Sequence, residues 1–184
     1  MDGFLIQLGH DASACETYLK TLLGREVGPA TQLHDAMAYA VLNGGKRMRA
    51  ALVFGAARMA SGARHDTTPS EAMLRTAAAI ELLHAYSLVH DDLPAMDDAA
   101  TRRGQPSCHI EFGEATAILA GDALQTMAFE ILADPRTHGD AAIRIQLVTT
   151  LAKAAGLQGM AGGQMLDLQS ENRQYNLAET KQMQ

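Results

Sequence analysis

The 184-residue chain carries 15 lysines and arginines against 21 aspartates and glutamates, giving a formal charge of −6, and 47% of it is hydrophobic but only 4% aromatic. At that length a single domain with a core of useful size is expected, and the acidic balance argues against a nucleic-acid partner. Cys15 and Cys108 are too few and too scattered for a disulfide framework or a zinc site, which fits a reducing compartment.

Helix formers dominate and strand formers are scarce, so the chain reads as all-α. Helices are expected over about residues 2–22, 31–42, 47–60, 71–92, 114–133, 140–156 and 158–170. No basic flank leads into a long apolar run at the amino terminus, so no signal peptide is read and a cytoplasmic protein is expected. Leu33, Met37, Ala40 and Val41 continue a helical pattern up to Asn43-Gly44-Gly45, a strong stop. Glycines there let backbone amides approach an anion, and the next helix should open with Lys46 and Arg49 three apart on one face. The pattern reads either as a phosphate cradle or as a helix C-cap followed by a basic, solvated first turn; the nucleotide-binding P-loop spacing is absent.

The segments Met73 to Val89 and Ala115 to Leu132 are apolar nearly all round, which suggests central helices or an oligomer interface. Glu81 and His84 interrupt the first, and Asp122, Gln125 and Glu130 the second, so neither reads as a membrane span. His84, Ser87 and Asp91 fall at i, i+3 and i+7 and form a polar stripe on the first.

At the end of that helix stand Asp91, Asp92, Asp97 and Asp98, followed at once by Arg102 and Arg103. An acidic run is most simply a solvated loop or a cap, but these charges arrive abruptly after a very apolar helix. Carboxylates so close repel unless a cation sits among them, and hard oxygen ligands suit magnesium. Magnesium implies phosphate, and the arginines supply matching planar donors. Asp91 and Asp97 are six apart and converge only if the helix breaks between them; Pro94 supplies the break.

Together the motifs resemble the trans-isoprenyl diphosphate synthases, most closely the bacterial farnesyl and geranyl type. They are Gly44-Gly45-Lys46-Arg47-Met48-Arg49, His84 through Asp98, Arg102-Arg103-Gly104, Phe112-Gly113-Glu114-Ala115, Gly121 through Thr126, and Gly162-Gly163-Gln164-Met165-Leu166-Asp167-Leu168. The resemblance implies an antiparallel helical bundle of the isoprenoid synthase type. Residues 1–184 would form one helical domain, the amino-terminal portion of the family domain, incomplete at its carboxy-terminal end because the chain stops before the second aspartate-rich motif.

The same resemblance implies residue roles. Asp91 and Asp97 would be Mg²⁺ ligands, with Asp92, Asp98 and Asp167 as supporting carboxylates, and Arg102 would hold the allylic diphosphate. Gly45, Lys46, Arg49, His84 and Arg103 would form the isopentenyl diphosphate site, with Gln164 lining the same cavity. Tyr86, five residues before the first aspartate, and its neighbour Ser87 would limit chain length and favour a fifteen-carbon product over twenty or more carbons, with ten carbons left open. The implied chemistry is Mg²⁺-assisted ionisation, condensation and proton elimination by a homodimer. A non-catalytic fragment or partner subunit that binds diphosphate is the alternative; a class I terpene cyclase is disfavoured by the Gly-Gly-Lys-Arg loop. Ala99-Ala100 and Ala50 depart from the family pattern at positions given no role, and Cys108-His109 lacks partner ligands at zinc spacing.

Overall fold

The computed structural model describes residues 2–24, 28–64 and 68–170, with eight helices and a single two-stranded hairpin among them. The chain divides into two compact units, Met1–Gly139 and Asp140–Gln184. The first contains α1 (Asp2–Leu23), α2 (Thr31–Leu42), α3 (Met48–Ser61), α4 (Glu71–Asp91), β1 (Thr101–Arg102), β2 (Gln105–Pro106), α5 (Cys108–Phe112) and α6 (Glu114–Ala133). The second contains α7 (Ala141–Ala155) and α8 (Met160–Ser170). The fold is all-α, as composition implies.

Helix boundaries follow local chemistry. The Ser70 hydroxyl accepts the Met73 N–H at 3.3 Å to start α4, and Asp140 Oδ1 accepts the Ala142 N–H at 2.8 Å to start α7. Gly62, at φ 66°, closes α3 in the left-handed conformation that glycine adopts without a Cβ penalty. Helix α3 begins at Met48, so Lys46 lies in the preceding loop. The expected i, i+3 alignment of Lys46 and Arg49 on one helix is therefore corrected. Arg47, in a left-handed N-cap conformation, breaks the helix between them.

Helix α4 is the centre of the first unit and packs on α1, α2, α3 and α6. Its Ala77, Ala78, Ala79, Leu82, Leu83, Ala85 and Val89 are buried. Small residues on the facing side of α6, namely Ala117, Ala120, Gly121 and Ala128, let the two helices approach closely. The His90 ring lies over Gly121, where an added Cβ would fall far inside van der Waals contact with the imidazole. Helix α6 is long and apolar enough to cross a membrane by length and composition alone. In this unit one face of it is buried against α2, α4 and α5, while Ile118 and Leu119 remain exposed.

Among the described residues three arginines are buried, each against an acid. Arg47 meets Glu16 and Glu81, Arg58 meets Asp11 at 2.6 Å, and Arg75 meets Asp134 at 3.0 Å. Arg75 also donates to the Thr137 hydroxyl at 2.8 Å. Burying a guanidinium is tolerable only when its donors are paired, so these contacts tie α1, α3, α4 and the segment after α6 to specific neighbours.

Candidate diphosphate and metal site

The carboxy-terminal end of α4 carries the acidic cluster on a turn built by backbone hydrogen bonds. Asp97 N–H donates to the Asp91 carbonyl at 2.9 Å, Asp98 N–H to Leu93 at 3.1 Å and Ala99 N–H to Asp92 at 3.2 Å. Asp98 adopts φ 48°, a conformation that aspartate tolerates better than most residues. The chain thus doubles back at Pro94 and returns Asp97 to the neighbourhood of Asp91. The four carboxylates are not equivalent: Asp91 is half-buried, Asp97 and Asp98 are exposed, and the Asp92 side chain is only 3% exposed.

Asp92 is paired with Arg102. Arg102 Nε donates to Asp92 Oδ1 at 3.0 Å and Oδ2 at 2.8 Å, and Nη2 donates to Oδ1 at 2.7 Å. Such a fork fixes the orientation of the guanidinium plane. The hydrogen bond that Arg102 donates to Asp92 raises the Arg102 pKa above the ordinary arginine value, against an opposing effect of burial and with smaller help from the charges of Asp92, Asp91 and Asp97. Arg102 therefore sits within electrostatic reach of all three aspartates.

Arg102 and Arg103 are neighbours on the tight hairpin Thr101–Arg102/Gln105–Pro106, whose register pairs Thr101 with Pro106 and Arg102 with Gln105. The turn places Arg103 and Gly104 at φ 54° and 80°, the positive values that a two-residue type I′ turn needs. The chain reverses at Arg103, so the two guanidiniums leave the hairpin toward different partners. Arg102 engages Asp92, while Arg103 Nη1 donates to the Gly44 carbonyl. Gly45 has φ 127°, a backbone that favours glycine, and a Cβ there would sit 2.9 Å from Arg103 Nη1 and force that guanidinium to shift.

Gly45, Lys46, Arg49, His84 and Arg103 line one cavity of about 120 Å³, together with Arg47, Met48 and Glu81. A more open hollow alongside is bordered by Asn43, Gly44, Gly45, Lys46, Arg103 and Gln105. The field inside is positive. Burial, and then Arg49, Arg103 and Arg102, push the His84 pKa down to about 4 against the opposing charge of Glu81. Arg103 is likewise lowered, first by burial and then by Arg47 and Arg102. A neutral imidazole among guanidiniums is a site that welcomes an anion.

A separate apolar groove of about 530 Å³ runs between α1 and α3, bordered by Phe4, Leu8, Leu52 and Met59. Its charged lining residues, Asp11 and Arg58, are bonded to each other, which leaves the chemistry to the cluster at the end of α4.

The Ser87 hydroxyl donates to the His84 carbonyl of its own helix at 2.9 Å. Tyr86 is half-buried and meets the His90 ring edge-on, with centroids 4.9 Å apart. His90 Nε2 is 3.1 Å from the Ile118 carbonyl and 3.9 Å from Asp122 Oδ1. Gln164 and Asp167 are three residues apart on α8 in the second unit, Gln164 half-buried and Asp167 exposed. His109 is buried with its Nδ1 3.2 Å from the Ser107 hydroxyl.

The sequence motifs contain Arg47 and His90, and Glu81 interrupts the apolar helix, but sequence reasoning gave none of the three a role. Glu81 lies three residues before His84 and so extends the same polar stripe by a turn, a signal that was available. The inward course of Arg47 carries no such signal.

Among the described residues, no three His, Cys, Asp or Glu side chains form a closed metal cage. Asp91 and Asp97, whose backbones the turn joins by a hydrogen bond, offer carboxylate oxygens that fit instead a hard divalent cation that keeps water and shares phosphate oxygens. The donor set is compatible with such an ion and poor for a soft one.

The sequence matches the Polyprenyl synthetase family model over residues 30–184. A farnesyl diphosphate synthase of Haemophilus influenzae is 54% identical over 148 residues, covering 80% of this chain and 48% of the relative. One from Escherichia coli is 46% identical over 169 residues, covering 89% and 54%. The chain therefore spans about half the length of these curated relatives. Among solved structures, an FPP/GFPP synthase of Zymomonas mobilis superposes with a TM-score of 0.89 at 37% identity, covering 98% of this chain and 64% of that one. A geranyltransferase of Legionella pneumophila gives 0.87 at 38% identity, covering 96% and 60%.

Proposed function

The chain belongs to the polyprenyl synthetase family, and we propose that it carries the two diphosphate sites of a trans-prenyltransferase. In this reading an allylic diphosphate, dimethylallyl or geranyl, condenses with isopentenyl diphosphate to give farnesyl diphosphate. The observation that supports it most is the pairing of Arg102 and Arg103 on one hairpin. One arginine is forked on Asp92 and feels the charges of Asp91 and Asp97, and the other closes on the Gly44-Gly45 loop. A reaction that joins two diphosphate esters needs two such anion sites side by side, with different chemistry at each.

Mg²⁺ held by Asp91 and Asp97, with Asp98 nearby in sequence, would neutralise the charge that develops on the departing diphosphate. Arg102 adds a fixed positive charge there, and Asp92 keeps its plane oriented. Lys46, Arg49 and Arg103 bind the second diphosphate as preorganised cations, and the Gly45 backbone lets it approach. His84, neutral near pH 7, offers a hydrogen bond without adding charge. Tyr86 and Ser87 limit product length, Gln164 serves as a substrate contact and Asp167 as a supporting carboxylate. A cytoplasmic homodimer belongs to the same proposal, with the exposed Ile118 and Leu119 of α6 as its support.

The test is product analysis by mass spectrometry after incubation of the 184-residue chain with geranyl diphosphate, isopentenyl diphosphate and Mg²⁺. Farnesyl diphosphate is expected, absent with Asp91→Ala and lengthened with Tyr86→Ala. A folded chain that forms no product would overturn the catalytic reading and leave a diphosphate-binding fragment or partner subunit.

A further inference from the structure

Glu81 occupies an odd place for a carboxylate. Its side chain is 4% exposed and lines the same cavity as Lys46, Arg49 and His84, where a negative charge opposes anion binding. Its contacts point to a reason. Glu81 Oε1 accepts the Ala50 N–H at 3.1 Å, and Oε2 accepts Arg47 Nη1 at 3.2 Å. Ala50 is the third residue of α3, so the carboxylate caps that helix from across the cavity. Arg47 in turn donates through Nη2 to the Val41 carbonyl, at the end of α2, at 2.6 Å, and through Nε to Glu16 of α1 at 2.8 Å.

The loop from Val41 to Ala50 is thereby gripped on both sides. Two of the cations that line the cavity are chain neighbours of residues in this network: Lys46 precedes Arg47, and Arg49 precedes Ala50. His84 lies three residues beyond Glu81 on the same face of α4. The left-handed conformation of Arg47 is sustained by the same contacts, since a non-glycine residue keeps such a backbone only where its surroundings over-determine it.

We propose that Glu81 is a positioning residue for this diphosphate site: through Ala50 and Arg47 it sets the spacing of Lys46, Arg49 and His84 without touching the ligand. The inference rests on reading the cavity as the isopentenyl diphosphate site and adds the group that preorganises it.

The experiment is calorimetric titration of the 184-residue chain with inorganic diphosphate in buffer containing EDTA, so that the Mg²⁺-dependent site is silent. Glu81→Gln keeps an acceptor for the Ala50 N–H but turns an amide donor toward the Arg47 donors. Positioning predicts an affinity about tenfold weaker in this variant, because displaced cations no longer match the ligand. A carboxylate with only a local electrostatic effect predicts the opposite sign, since its removal makes the cavity more positive.

Lys46→Ala should cost clearly less in the Glu81→Gln background than in the wild type, because that lysine is already misplaced. Glu81→Asp, which keeps the charge, should lose less, about threefold, and carries the test if Glu81→Gln fails to fold by circular dichroism. Unchanged or tighter binding in the folded Glu81 variants, or a Lys46→Ala factor that does not depend on residue 81, overturns the positioning role. Absence of Lys46-dependent binding in the wild type overturns the diphosphate reading itself, and the positioning role with it.

Discussion

Replacing Gly121 by alanine probes the contact that brings α6 against the acidic end of α4. The new Cβ would clash with the His90 ring, at Nε2 and Cδ2, and lie 3.1 Å from Cε1. The imidazole is the end of a side chain, so it can rotate away, but three contacts go with it. One is the approach of Nε2 to the Ile118 carbonyl at 3.1 Å, worth about 1 kcal/mol. The second is the edge-on pair with Tyr86, worth about 0.5–1.5 kcal/mol. The third, with Asp122 at 3.9 Å, is solvent-exposed on the aspartate side and adds little.

The expected loss is about 2 kcal/mol, or roughly 6 °C in a thermal melt of a chain this size. The cycle with His90→Ala isolates the cause. In that background Gly121→Ala meets no ring, and its cost should fall by at least about 1 kcal/mol. Melting curves by circular dichroism for the four proteins decide it. Equal costs in both backgrounds would refute the packing argument.

Other outcomes follow from the site. Asp92→Asn breaks a pair whose carboxylate is 3% exposed and whose guanidinium is 34% exposed. Discounted for that exposure, the loss is about 2 kcal/mol by urea denaturation, and a change below about 0.5 kcal/mol would contradict the fork. Gly45→Ala forces a Cβ to 2.9 Å from Arg103 Nη1 at φ 127°, so diphosphate affinity in EDTA should fall about tenfold. Wild-type affinity would contradict the close approach.

His84 gives a pH signature. Its folded pKa is pushed down to about 4 from 6.5, so the unfolded chain binds the proton more readily between those values. Stability from this group is complete above about pH 6.5 and declines as the pH falls toward 4. His84→Gln should flatten that part of the urea-midpoint profile, and an unchanged slope would assign it elsewhere.

Much of the helical frame was legible because Gly, Pro and capping residues punctuate long apolar runs. Ser70, Asn43-Gly44-Gly45 and Asp140 mark ends that the structure places within a residue or two of expectation. The segment between residues 101 and 112 was not legible. Its strands are two residues long, too short for alternation to register, and its turn depends on Arg102 gripping an aspartate ten residues earlier. The short helix Cys108–Phe112 was missed for the same reason of length.

At the site, spacing and Pro94 anticipated the return of Asp97 toward Asp91. Spacing could not tell which aspartate turns inward, because that is decided by where α4 stops and by the partner at Arg102. The inward course of Glu81 and Arg47 escaped a reading in which charge marks surface. Their burial is set by one another and by Glu16, and these residues lie far apart in sequence and are joined only by the fold.

The central claim is that Asp91 and Asp97 form a cation-assisted diphosphate site beside a separate basic one. Calorimetric titration with geranyl diphosphate, with and without Mg²⁺, tests it most directly. The account predicts Mg²⁺-dependent binding that Asp91→Ala and Asp97→Ala abolish and Lys46→Ala leaves nearly intact. Binding that ignores Mg²⁺, or that Lys46→Ala weakens as much as Asp91→Ala does, would contradict it.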